Sequence, residues 1–369
     1  MNSSAARPMT LVFPAVGQAA TDYVQRARAR GEGVVCAALP GAGDELALGQ
    51  EVHPLPSIYD PEFAASLQRL LADFAPNRIF SSVAAVYRFL RKFIAEQGLE
   101  LEMVGESPIA QEMQHHHALM ARARRLLPLI DACAEPSVAA SITDVAGILR
   151  TTSIIYGESN DEKLAAMIGI FANAGKGDVV EIGSLMGRSA FVLLSMARRY
   201  GIGSVLTVDP WSAGEAVQTD SPAEFQEMVG DWDFEVLREG FFVNIAPLAV
   251  RNHAHLRMTS ADAFAIYGSP QALQSPWGDA FQPVRGISVI HIDGNHDYSA
   301  VRTDCRLWLQ KLLPGSWLVL DDYVWAHGDG PYRVGNQLLA RQADRIERAF
   351  VCGKALFVRW HEAPVIDFD

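Results

Sequence analysis

Val179-Val180-Glu181-Ile182-Gly183-Ser184-Leu185-Met186-Gly187-Arg188-Ser189 is the stretch on which the fold turns. An apolar β-run with one acid near its end meets two glycines in G-x-x-x-G spacing, and a helical pattern continues to Tyr200. The first backbone N–H groups of a helix have no intrahelical partner, so a strand–turn–helix of this kind presents donors to a polar ligand. Glycine lets such a ligand approach the chain closely. Upstream, residues 161–173 read as a helix with an acidic first turn, as the helix dipole prefers, followed by a strand over 178–182. Downstream, the strand 204–208 ends at Asp209, 26 residues after Gly183, where doubly wound folds set a carboxylate against ribose hydroxyls. The two features together point to a nucleoside-containing cofactor. The dinucleotide fingerprint G-x-G-x-x-G is absent, because the middle glycine that admits a pyrophosphate is missing, and Glu181 would repel a diphosphate.

Further along, the apolar run 287–292 leads into Asp293-Gly294-Asn295-His296-Asp297-Tyr298, and the run 316–320 leads into Asp321-Asp322-Tyr323. Ligands of open parallel sheets gather at the carboxyl ends of strands, so Asp293, Asp321 and Asp322 are expected across one crevice. Three unpaired carboxylates so close repel one another, and a hard divalent cation, Mg²⁺ by its all-oxygen donor set, relieves this. His296 is then placed to take a proton from a hydroxyl made more acidic by the metal. The bland reading has the acids capping the next segment and His296 packing on Tyr298; for any one acid alone it is equally good. His291 reads as a hydrogen-bonded core residue and His115 to His117 as a solvated helical face, while His253 and His255 receive no role.

Strands are also expected at 255–258 and 354–360, with helices at 298–312 and 334–345. Residues 212–245, rich in acids and aromatics, read as a partly helical insertion over the site, with Trp232, Phe241 and Phe242 as an apolar lid or as core. The N-terminal part alternates strands at 9–13, 33–38, 78–81 and 101–104 with helices at 19–30, 61–74 and 83–97, which implies a parallel sheet. A helix from Pro108 to about 127, with Ser107 as its cap, and a second helical stretch over 137–149 read as a connector. The expected organisation is an α/β domain over 1–110, a helical connector over 111–150 and a Rossmann-like, doubly wound α/β domain over 151–369.

Composition sets the outer bounds. The 369 residues carry a net charge of −12, with 49% hydrophobic and 20% charged residues, which describes a globular chain long enough for two or three cores. Residues 1–150 hold 13 basic and 16 acidic side chains and the remainder 18 and 27, a balance that argues against a nucleic-acid partner. The four cysteines are far apart and form no C-x-x-C pair, which fits a reducing, cytoplasmic setting. No apolar run approaches the roughly 18 residues of a membrane span, and the N-terminus, broken by Pro8 and Pro14, does not read as a signal peptide.

YGESNDEKL, VVEIGSLMGRSA, LTVDPW, SADAF, HIDGNHDY and LVLDDY, in this order, resemble the class I S-adenosylmethionine-dependent methyltransferases. Within that class they are similar to the metal-dependent O-methyltransferases acting on sugars of macrolides and related natural products. The resemblance covers roughly residues 150–365. It implies that Glu181, Gly183 and Ser189 line the methionine part of S-adenosylmethionine, with Glu158, Ser184 and Gly187 also binding the cofactor. Asp209 would hold the ribose, Trp211 would flank the adenine, and Ser260, Ala261 and Asp262 would lie near its exocyclic amine. Asp293, Asp321 and Asp322 would hold Mg²⁺ and His296 would be the general base; some relatives carry an acid in this region, which leaves Asp297 as the alternative. A small hydroxylated acceptor and a homo-oligomer are further implications. The N-terminal pattern resembles the Rossmann-like preliminary domain of ATP-grasp proteins without phosphate-binding residues, and is expected to serve oligomer contacts or to cover the acceptor site. Two readings from other classes stand beside this one: a nicotinamide-dependent oxidoreductase, and a non-catalytic nucleoside-binding module.

Overall fold

The structure, a computed structural model, describes residues 8–42, 48–219, 222–278, 280–366 and 368. Residues 1–7 of the N-terminal stretch considered above, and Gly43 of the turn after the second strand, lie outside the described residues. The chain divides into two compact units, Met1–Ala118 and Leu119–Asp369.

In the first unit, β1 (Met9–Val12), β2 (Gly33–Ala38), β3 (Val52–Pro54), β4 (Arg78–Phe80) and β5 (Glu102–Met103) form one parallel sheet in the order β3-β2-β1-β4-β5. Successive strand residues face opposite sides of a sheet. Leu11, Val35 and Ile79 therefore share one core with Phe63 and Leu67 of α2 (Phe63–Phe74) and Leu90 of α3 (Ala84–Gln97). Val12 and Cys36 share the other with Ala20 and Val24 of α1 (Gln18–Ala29). β3 is absent from the sequence reading because Val52-His53-Pro54 is too short and too polar to show a period.

The next helix, α4, spans Pro108–Ala134, and the boundary between the units falls inside it. It runs past Pro128, where the sequence pattern predicts an end. Burial of Ile130, Cys133 and Ala134 outweighs the hydrogen bond that proline removes. Leu126 and Ile130 share a core with Val145 and Leu149 of α5 (Ile142–Thr152) and Leu164 and Met167 of α6 (Asp161–Ile170). The stretch read as a connector thus contributes to the packing of the second unit.

The second unit is built on a seven-stranded sheet of β6 (Asp178–Ile182), β7 (Val205–Val208), β8 (His253–Leu256), β11 (Ile287–Ile292), β12 (Leu312–Leu320), β13 (Ile346–Cys352) and β14 (Ala355–Trp360). The strand order is β13-β14-β12-β11-β6-β7-β8, parallel except for β14, which runs antiparallel to both neighbours. β9 (Leu273–Gln274) and β10 (Ala280–Phe281) form a separate small hairpin. α7 (Arg188–Tyr200) follows β6. The insertion is helical, as α8 (Ala213–Ala216), α9 (Ala223–Gly230) and α10 (Phe234–Ala249). α11 (Ser260–Gly268), α12 (Tyr298–Trp308) and α13 (Gly330–Arg341) follow β8, β11 and β12. This is the expected doubly wound, Rossmann-like α/β arrangement.

Three expectations need correction. β8 lies two residues earlier than predicted, because buried His253 is accommodated by Thr207 Oγ1, which lies 2.8 Å from both His253 Nε2 and His255 Nδ1. α13 begins at Gly330 rather than near Val334. β13 has no counterpart in the sequence reading, which ends a helix at 345 and resumes with a strand at 354, although its alternating burial is that of an edge strand.

Candidate active site

β6 and β11 pair side by side where the strand order reverses, and their exit loops build the floor of the site. Gly183 has φ of 81°, and a Cβ there would lie 2.0 Å from the Asp293 carbonyl oxygen. Only glycine fits, but the freedom it gives is taken by the neighbouring loop rather than kept open for a ligand. Gly187 likewise has Phe241 and Ile245 at 3.0 and 3.2 Å from a Cβ position, so that α10 packs on the start of α7.

A cleft opens above these loops. It is lined by Glu158, Gly183, Ser184, Ser189, Asp209 and Trp211. Asp293, His296, Asp321 and Asp322 line it too. Ser260, Ala261 and Asp297 face an adjoining cavity that shares Pro210, Glu215, Gly294 and Asn295 with the cleft. Glu181, Gly187 and Asp262 line neither.

The local hydrogen bonds explain these placements. Glu181 is fully buried beneath the turn, its Oε1 3.0 Å from His291 Nδ1 and its Oε2 accepting from Ser184 Oγ at 3.0 Å. Asp209 accepts from the backbone N–H of Ser184 and Leu185 through Oδ2, at 2.8 and 3.1 Å, and from that of Trp211 through Oδ1 at 2.8 Å. Burial raises its pKa, opposed by those three bonds. Trp211 has φ of 42°, donates Nε1–H to the Leu185 carbonyl and packs against Phe241 and His255. Asp262 accepts from the Thr259 hydroxyl at 2.8 Å at the N-terminus of α11. Asp297 accepts from both the backbone N–H and the hydroxyl of Thr219, at 2.9 and 2.7 Å, which ties it to the insertion. Of the three aromatic residues considered for a lid, Trp232 lines the cleft, Phe241 is fully buried core and Phe242 packs beside it.

The carboxylates are not unpaired. Lys163 of α6 is wholly buried, and its Nζ contacts Asp321 Oδ2 and lies 3.2 Å from Asp293 Oδ2. Burial works against the charge of Lys163, but Asp293 and Asp321 outweigh it and raise the pKa. Burial likewise opposes ionisation of Asp293, yet Lys163 holds its carboxyl well below the usual range. Lys354 Nζ lies 2.6 Å from Asp322 Oδ1 and 3.7 Å from Glu158 Oε2. His296 Nε2 lies 3.2 Å from Asp322 Oδ2 and 3.6 Å from Asp293 Oδ1, and its ring meets Trp325 edge-on. Burial pulls the His296 pKa down, but Asp293 and Asp322 overcome it and the net shift is upward. Asp322 is itself shifted up, by burial first and by its neighbouring aspartates.

Lys163 is the charged residue of this cluster that the sequence reading missed. The available signal was a lone lysine opening Leu164 to Ile170, an all-apolar and all-buried helix, where a charge must find a counter-charge. Lys354, Asn295 and Gln218 also line the cleft and were not expected. His291 is buried as predicted and bonded to Glu181, but it also stands 3.6 Å from Asp293 Oδ2. His115, His116 and His117 are exposed.

A search of curated proteins by sequence finds no match. Among solved structures, the O-methyltransferase NovP aligns with 16% identity and a TM-score of 0.38, over 66% of this chain and 100% of its own. The calicheamicin methyltransferase CalS11 aligns with 12% identity and a TM-score of 0.35, over 70% and 95%. An O-methyltransferase from Bacillus cereus in complex with SAH aligns with 13% identity and a TM-score of 0.34, over 65% and 90%. Residues 180–323 match a family described as a methyltransferase domain. That stretch begins in β6, ends at Tyr323 and contains the glycine turn, Asp209 and all three aspartates of the cleft; the second unit carries a methyltransferase domain.

Proposed function

We propose that the second unit transfers the methyl group of S-adenosylmethionine to a hydroxyl oxygen of a small molecule, with a divalent cation, Mg²⁺ by its donors, assisting. The observation that carries this reading is the meeting, in one cleft, of the glycine turn and Asp209 with Asp293, His296 and Asp322. The cofactor supplies an already activated methyl group, so the protein's task is mainly to align donor and acceptor.

The side chains suit both guests. A carboxylate held by turn amides at the end of β7 can accept from ribose hydroxyls. His291 Nε2 and Asp321 Oδ1 are buried without a hydrogen-bond partner, and together with Asp293 and Asp322 they offer oxygen and nitrogen donors to a cation, which leaves His296 Nε2 for the proton. Such an ion, when bound, lowers the pKa of a hydroxyl coordinated to it. His296 receives the hydroxyl proton at Nε2, and the flanking carboxylates that raise its pKa stabilise the resulting imidazolium. Asp297 is assigned to anchoring the insertion, since Thr219 occupies its carboxylate. Trp232, Phe234 and the α8 segment line the cleft, and we assign them to screening it from water when substrate is bound. A sugar or natural-product glycoside is the acceptor class we favour by resemblance, and self-association and a cytoplasmic setting belong to the same proposal.

Isothermal titration with S-adenosylmethionine and with NAD, followed by a screen of hydroxylated compounds for S-adenosylhomocysteine with and without EDTA, tests the reading. Tight binding of NAD alone overturns it, and turnover that persists in full in EDTA removes the metal from it.

A further inference from the structure

The two oxygens of Asp293 face different neighbours. Oδ2 lies 3.2 Å from Lys163 Nζ and 3.6 Å from His291 Nε2, whereas Oδ1 lies 3.6 Å from His296 Nε2. Asp321 Oδ2 is in contact with Lys163. Asp322 turns Oδ2 towards His296 and Oδ1 towards Lys354. The cluster therefore has an inner half, Asp321 with Asp293 Oδ2, and an outer half, Asp293 Oδ1 with Asp322 Oδ2 on either side of His296.

Lys163 is fixed in the inner half. Its backbone N–H donates to Asn160 Oδ1 at 2.9 Å, and the backbone of Gly353, with φ of 60°, sits so close that a Cβ there would meet Lys163 N at 3.0 Å. With no exposed surface, the ammonium cannot exchange its carboxylates for water. A fully buried ammonium in contact with two carboxylates already supplies the charge that a cation would bring to them.

We propose that Lys163 is the resident cation of this site and that a divalent ion is held only by the outer half, by Asp293 and Asp322, with Asp321 serving Lys163 and not the ion. This rests on the metal-assisted reading above and narrows its ligand set from three aspartates to two. Removal of Lys163 alone takes one positive charge from beside the ion and frees Asp321 to join it, so ion affinity rises. Removal of the Lys163 and Asp321 charges together changes neither the outer ligands nor the net charge.

Mn²⁺ binding, followed by electron paramagnetic resonance of the free ion and by calorimetry, tests this on the full chain without any turnover. The wild type is expected to take up one equivalent. Lys163→Met is expected to bind it at least about tenfold more tightly, a change of about 1.4 kcal/mol. Lys163→Met combined with Asp321→Asn is expected to stay within about threefold of wild type, while Asp322→Asn loses about tenfold or more. Loss of Mn²⁺ binding in the double variant would show Asp321 to be a ligand and overturn the proposal, as would a Lys163→Met protein that binds no more tightly than wild type. The double variant, which leaves no lone buried charge, remains decisive where the single one does not fold. S-adenosylmethionine titrated into the same samples separates the two readings: its failure to bind sinks the methyl-transfer function and leaves the ion-binding pattern to be judged by itself.

Discussion

His296 stands between Asp293 and Asp322 with its other ring nitrogen 3.3 Å from Gln218 Nε2, so both edges of the imidazole are oriented. Replacement by glutamine removes the proton acceptor but keeps a polar group in the cleft. His296→Gln is expected to slow methyl transfer by ~10²–10⁴-fold with S-adenosylmethionine affinity nearly unchanged, as read by product formation and calorimetry. Asp304, buried beside the adjoining cavity, gives a pH signature. Burial pushes its carboxyl up to about 7, with Ser260 opposing. A folded-state pKa above the unfolded value means that this group's contribution is fully present below the ordinary carboxylate range and is lost as pH rises towards about 7. Asp304→Asn should therefore flatten the fall in melting temperature across that window, and an unchanged profile would assign the slope elsewhere. The aspartates and His296 were legible in the sequence because each ends or follows an apolar strand. Lys163 was not, since its partners are 130 and 158 residues away and only the folded sheet brings them to it.

The N-terminus of α6 and the turn between β13 and β14 form a coupled pair of elements. Asn160 caps the helix through Lys163 N, and Gly353 leaves room for both. A methyl group at Gly353 would lie 2.4 Å from Asn160 Oδ1 while the backbone stays in the left-handed region. Gly353→Ala is expected to cost ~1–3 kcal/mol in denaturant unfolding, more than an alanine at the unobstructed Gly175. Elements of strong period were readable: β2, β6, α7 and β11 fall on the residues expected of them. Those that escaped depend on tertiary partners. β8 holds two histidines only because Thr207 bridges them, and the edge strand β13 exists through its pairing with β14.

At the scale of the whole molecule, each unit has its own sheet and core, and every described residue that lines the cleft belongs to the second. Leu11→Ala is expected to destabilise the first unit by ~2–5 kcal/mol, the cost of an emptied core position, without altering affinity for S-adenosylmethionine. Calorimetric titration of the folded variant checks this. The alternation of strands and helices made both α/β sheets legible, and the closing hairpin of the second was lost with β13. Within that second sheet, the chain from Glu215 to Thr219 is stitched to the loop after β11. Asn295 donates to the carbonyls of Glu215 and Val217, Asp297 accepts twice from Thr219, and Gln218 meets His296. Glu215 and Asn295 border both cavities, so this seam stands where the two adjoin. On the proposed methyl-transfer reading, Asn295→Ala, which cuts two of these stitches, is expected to speed product release, read as a smaller initial burst relative to the steady rate.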